Sequence, residues 1–267
     1  MNIIHRISFR TDSPAAKFFE AEGFKIKPGI INGYDIGEND PKWPRIQEAV
    51  TRYEIMDFQY KTDFTKKEID GAEFLVLSPK TLFEYPQPSD DFGYKETTYK
   101  PGVGCRKCSV GLEQQKPFSI KKAPKWGKRN ILQLNWVFGE YFVSKELKEK
   151  LEGKIPGVHF LEVLKYPKGM PLDDIFQMVV EKRVALALPE NAAFQICDVC
   201  KGKKYVPGIL ARGFQPAPVE KDFAIAQSQE FFGDGGTAFR ITIVSKAVYQ
   251  LLLEVGIKGV DFIPCSP

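Results

Sequence analysis

The chain has 267 residues, 43% of them hydrophobic and 13% aromatic, with a formal net charge of +4. Such a composition excludes a disordered chain and leaves room for one large domain or two ordinary ones, and the mild charge favours no polyanionic partner. No run approaches the roughly 18 apolar residues of a membrane span, and "MNIIHRISFRTDSP" lacks the apolar core of a secretory signal.

The expected compartment is therefore the cytoplasm, with no membrane association. Thiols stay reduced there, so paired cysteines are read as metal ligands or redox groups ahead of disulfides.

In chain order, "RTDSPAAKFFEAEGF" carries helix punctuation: Asp12 or Ser13 to cap, Pro14 in the first turn, Gly23 to stop. "GENDPKWPRIQEAV" is rich in turn formers. Thr65 and Glu68 have capping-box spacing, which predicts a short helix, and Phe74 to Leu77 reads as a buried strand. "YPQPSDDFGYKETTYKPGVG" is the best boundary or long connection, at roughly residues 82–104. This divides the chain into an N-terminal α/β segment, 1–100, and a C-terminal region, 101–267.

Next comes "SIKKAPKWGKRNILQLNWVFGEYF", 119–142, in which Lys121, Lys122, Lys125, Lys128 and Arg129 surround Trp126. Cations interleaved with an aromatic suit a phosphate backbone with a stacked base, or a protein interface. They suit equally a solvated loop whose tryptophan folds back on a cysteine knuckle.

The C-terminal region partly repeats itself. "YFVSKELKEKLEGKIPGVHFLEV" at 141–163 matches "TIVSKAVYQLLLEVGIKGVDFIP" at 242–264. Both read as strand, capped helix, strand, with Ser144 and Ser245 at the N-cap positions. Leu147 and Leu151, and Val248 and Leu252, give each helix one apolar stripe. A C-x-x-C pair precedes each copy: Cys105 and Cys108, then Cys197 and Cys200.

A zinc site needs four soft donors, and a C-x-x-C turn supplies two from one short loop. Two such turns would close an all-cysteine shell that stabilises the fold and leaves no position for a substrate. Gly104, Gly111 and Gly202 allow the tight turns required. The separation of the pairs is long for a zinc ribbon, and duplication accounts for it, one knuckle per copy. Redox dithiols or free thiols are the alternatives. Cys265 has no partner in this scheme and reads as a small apolar residue.

No catalyst stands out. His5 and His159 each read as ordinary surface or half-buried residues, with His159 on the solvent side of a strand. Asp90–Asp91 and Asp173–Asp174 are adjacent pairs, and "PLDDIF" reads as a helix N-terminus. "FFGDGGTAF" at 231–239 lacks the lysine of a phosphate loop and reads as a flexible turn entering the final strand. The expectation is a protein that is not an enzyme.

The order of a C-x-x-C turn, "QLNWVFGEYFVSKELKEKL", a second C-x-x-C and a closing "VSK…GVDFIP" resembles the double-CxxCG motif proteins of myxobacteria and other bacteria. The resemblance covers roughly residues 101–267 and is carried by Cys105, Cys108, Cys197 and Cys200. Ser109 and Lys201 stand where the family name has glycine. Some members are regarded as immunity proteins that neutralise a cognate toxin, so the resemblance implies a protein partner.

The expectation is thus an α+β protein of mixed sheets and short helices, with a duplicated strand–helix–strand unit stapled by structural zinc. Its expected function is that of a bacterial protein-binding module, with Lys125, Trp126, Lys128 and Arg129 as candidate partner-binding residues. The alternative is a zinc-ribbon nucleic-acid binder using the basic loop 121–129.

Overall fold

The computed structural model describes residues 1–207 and 213–266. It shows an α+β protein of mixed sheets and short helices. The chain forms two compact units that divide between Glu68 and Ile69. Residues 69–100, assigned from sequence to the N-terminal segment, therefore belong with the C-terminal region.

The first unit contains β1 (Asn2–Arg10), α1 (Pro14–Ala21), β2 (Ile31–Gly37), α2 (Trp43–Arg52) and β3 (Met56–Asp63). Its strands form an antiparallel sheet in the order β2-β1-β3. Ile7 and Phe9 alternate inward from β1 and pack with Phe19, Trp43 and Ile46. Ser13 occupies the N-cap of α1, but its hydroxyl donates to the Arg10 carbonyl instead of capping.

The turn-rich reading of 37–50 is corrected. Pro44 sits in the first turn of α2, where its missing N–H costs nothing, and Trp43, Ile46 and Ala49 bury one helical stripe. His5 is also corrected, being only 4% exposed. Its Nδ1 lies 2.8 Å from Asp57 Oδ1, its Nε2 3.1 Å from Glu38 Oε1, and its ring packs on Trp43.

α3 (Lys66–Gly71) carries the chain across the boundary. Its capping box forms as predicted: the Thr65 amide donates to Glu68 Oε2 and the Glu68 amide donates to Thr65 Oγ1.

The second unit continues with β4 (Phe74–Pro79), β5 (Leu82–Phe83), α4 (Tyr94–Thr98), β6 (Ser119–Ile120), β7 (Ile131–Leu134), β8 (Val137–Ser144), α5 (Lys145–Leu151) and β9 (Val158–Lys165). It then runs through β10 (Met170–Val180), β11 (Arg183–Val184), β12 (Phe194–Ile196), β13 (Lys203–Tyr205), β14 (Ile225–Ser228), β15 (Thr242–Ser245), α6 (Lys246–Glu254) and β16 (Val260–Pro264). One sheet has the order β5-β7-β8-β10-β9-β6, a second β11-β14-β15-β4-β16, and β12 pairs with β13 as a hairpin. Asp173 and Asp174 lie in β10, so the helix reading of "PLDDIF" is wrong; buried Ile175 and Gln177 alternate along a strand instead.

The expected strand–helix–strand repeat is present twice. Ser144 Oγ accepts from the Leu147 amide and Ser245 Oγ from the Val248 amide, so each helix starts on an equivalent cap. Leu147, Leu151, Val248 and Leu252 meet in one core with Leu75, Val143 and Val244.

The duplication runs further than the sequence match. β8 and β9 run parallel with antiparallel β10 between them, as β15 and β16 do with β4 between them. The registers correspond: Ile175 pairs with Ser144 and Val180 with Val158, while Phe74 pairs with Ser245 and Pro79 with Val260. After its central strand each chain segment crosses to the other sheet, where β5 pairs parallel with β7 and β11 parallel with β14. Each copy therefore begins with the strand that completes the other copy's sheet. The copies are intertwined.

They also touch directly. Gly139 has φ +78°, and a Cβ there would lie 2.4 Å from the Arg240 carbonyl oxygen, so only glycine allows this approach.

Candidate metal centre

Each cysteine pair sits in a tight knuckle just after a crossing strand, β5 or β11. In the first, the Cys105 amide donates to Val110 O and the Ser109 amide to Cys105 O. In the second, the Cys197 amide donates to Gly202 O and the Lys201 amide to Cys197 O. The two loops are built alike.

Ser109 and Lys201 have φ of +66° and +59°. They occupy the left-handed conformation in which glycine is most at ease, which gives the family's glycine at this position a physical meaning. Gly104 is required more strictly, since a Cβ would lie 2.4 Å from the Gly111 and Leu112 backbone.

The knuckles bring the four predicted cysteines together. Cys105 Sγ lies 4.0 Å from Cys197 Sγ, Cys108 Sγ lies 3.6 Å from Cys200 Sγ, and all four sulfurs fall within 4.8 Å of one another. A tetrahedron with metal–sulfur bonds of about 2.3 Å has edges of about 3.8 Å. The spacing fits, and it is far longer than the about 2.05 Å of a disulfide. Cys105, Cys108 and Cys197 are buried, while Cys200 is exposed.

Backbone amides favour the thiolate form here. The Cys108 amide lowers the Cys105 pKa, and the Cys200 amide brings Cys197 down to about 7. Burial pushes Cys108 up to about 12, an unfavourable state that a cation at the centre of the four sulfurs would relieve. The donor set is all sulfur, with no histidine or carboxylate among the clustered ligands. Such a set suits a thiophilic cation and closes its shell.

The surroundings were not legible in sequence. Lys107 and Asp198 form an exposed ion pair from one knuckle to the other. The turn at 233–237 lies against the first knuckle through Ser109 Oγ, which donates to Gly236 O. It leads into β15, with β16 after it, so the final strand lies further on. Lys95 and Lys204 also bond this turn, and both are buried. They sit in ordinary-looking lysine-bearing stretches, and nothing in composition or spacing marks them.

The basic segment lies elsewhere. Trp126 packs on the core formed by Phe118, Ile120, Leu132 and Phe142, and its indole N–H donates to Asp174 O. It thus folds back on a sheet rather than on a knuckle. Lys125 and Lys128 are exposed, and Arg129 donates to the Lys125 carbonyl.

A second polar feature is a cavity of about 80 Å³ whose lining includes Tyr99, Glu140, Arg183, Gln227 and Arg240. Burial raises the Glu140 carboxyl to about 7, while Gln177 donates to it at 3.0 Å. His159 lies on the solvent side of β9 beside Glu181, as expected. Cys265 is buried and its thiol is pushed up to about 12 by burial, in keeping with a small apolar residue. Among the described residues no helix is long and apolar enough to cross a membrane. No family model and no curated protein matches the chain.

Proposed function

We propose that Cys105, Cys108, Cys197 and Cys200 hold one structural Zn²⁺, and that the chain is a non-enzymatic protein-binding module. The observation that carries the metal reading is the convergence of two like-built knuckles, remote in sequence, at tetrahedral sulfur spacing. With four thiolates the shell is closed, so the ion stabilises the loops and activates no water. Zinc would tie together two intertwined copies that already share a core.

The binding role draws on the resemblance to double-CxxCG proteins, and with it comes a bacterial immunity protein that occludes a cognate toxin. Such a surface must be rigid and offer a few aromatic or cationic anchors. The 121–129 loop meets part of this requirement. Trp126 pins it to the core, and Lys125 and Lys128 face solvent. The same exposed cations support the second reading, a nucleic-acid-binding surface.

Metal analysis of the purified protein tests the first claim: one zinc per chain is expected, and substoichiometric metal with a folded protein counts against it. A pull-down from native-host lysate, washed at high salt, tests the second. A stoichiometric protein surviving the wash supports the binding module. Nucleic acid held only at low salt favours phosphate contacts, whose affinity falls steeply with ionic strength.

A further inference from the structure

Two lysines near the cysteine cluster are almost sealed from solvent: Lys95 is 6% exposed and Lys204 2%. Lys95 Nζ donates to the carbonyl oxygens of Arg106 at 3.0 Å and Gly236 at 3.2 Å, and it lies over the Phe92 ring. Lys204 Nζ donates to the carbonyl oxygens of Gly235 at 2.7 Å and Thr237 at 2.9 Å. Among the described residues no carboxylate bonds either ammonium. Carbonyl dipoles replace only part of the water an ammonium loses, so a buried cation calls for an anion close by.

The four sulfurs are the candidate anion. Lys204 lines one cavity with Cys108 and Cys197. Lys95 bonds the carbonyl of Arg106, inside the first knuckle, and that of Gly236, to which Ser109 also donates. Burial lowers the Lys95 pKa, while the thiolates of Cys108 and Cys105 act to raise it.

The charges match in number. Four thiolates on a divalent cation carry a net charge of minus two, which two ammonium groups cancel. On a trivalent cation the same two lysines would leave an excess of one positive charge. The exposed cation of the region, Lys107, is already paired with Asp198 and plays no part in this balance.

Resting on the four-cysteine metal reading, we propose that Lys95 and Lys204 are the counter-charges of the metal-loaded cluster, matched to a divalent ion, and that they clamp the 233–237 turn over the knuckles. Each acts as a positioning residue: one side chain carries the charge facing the sulfurs and holds the carbonyls of the turn. This assigns a role to "FFGDGGTAF" as the cover of the metal centre.

The test uses the full chain and the substitutions Lys95→Gln and Lys204→Gln, which keep an amide donor for the carbonyls and remove the charge. Zn²⁺ affinity is measured by chelator competition, and melting is recorded for metal-loaded and metal-stripped protein. Each substitution should weaken zinc binding about 10- to 100-fold, the usual effect of losing a group that supports the ligands. Each should also lower the melting temperature of the loaded protein more than that of the stripped protein. Lys107→Gln should leave affinity nearly unchanged.

If the wild-type chain binds no metal, the four-cysteine reading fails and this inference with it. If wild type binds zinc and both lysine variants bind it as tightly, only the counter-charge role is overturned. An equal loss of stability in loaded and stripped protein also overturns it, because that is the signature of packing alone. Should a Gln variant fail to fold, the Arg variants decide: retained charge must retain zinc affinity, and its loss refutes the role.

Discussion

Glu140 allows a quantitative test of the fold, because its charge state is set by where β8 places it. The carboxyl faces Gln177, which is fully buried and locked to Gln114 by a reciprocal amide pair at 2.7 and 2.8 Å. Burial raises its pKa from 4.5 to about 7, against the opposing effects of Gln177, Gln227 and Arg183. A carboxyl whose folded pKa is raised binds its proton more tightly in the folded state. Its stabilising share is therefore fully present below the unfolded value of about 4.5 and is lost as pH rises through about 7. A shift of about 2.5 units at 1.36 kcal/mol each sets the full effect at about 3 kcal/mol. Glu140→Gln keeps the shape and the acceptor for Gln177 while removing the ionisation. Urea unfolding of both proteins at pH 5 and pH 8, in the same metal state, reads the effect directly. The variant should lose less stability between those two pH values, by up to about 3 kcal/mol. Parallel pH profiles would refute the assignment of a buried, protonated carboxyl to this position.

Three further outcomes follow from the structure. Cys105→Ser and Cys197→Ser, taken singly, should each abolish stoichiometric zinc and lower the melting temperature sharply, since one shell spans both knuckles; metal retained in either variant, with unchanged melting, argues for separate sites. Ser144→Ala and Ser245→Ala should each cost about 1 kcal/mol in urea unfolding, by equal amounts, because each removes one equivalent N-cap bond; a marked inequality would show that the two helices are not supported alike. Fragments 1–168 and 169–267 should fold together on mixing and not separately, because each lacks the central strand of one sheet; a cooperative melt from either fragment alone counts against the strand exchange.

What the sequence by itself determined here is local. The Thr65–Glu68 box, the Ser144 and Ser245 caps, the apolar stripes of α5 and α6 and the two C-x-x-C knuckles all depend on residues a few positions apart, and spacing encodes such features directly. Because strand, capped helix and strand recur in order, the duplication was legible too. Tertiary structure alone decided which strand fills the gap between β8 and β9, or between β15 and β16. A parallel pair joined by a helix does not specify its central partner, and here that partner comes from the other copy. The same exchange draws β4 into the C-terminal sheet and moves the boundary to Glu68. His5, Glu140, Lys95 and Lys204 were likewise illegible, since a polar residue's burial depends on what folds over it. The charge of a lysine is written in the sequence; the four sulfurs that could balance it are brought near only when both copies close.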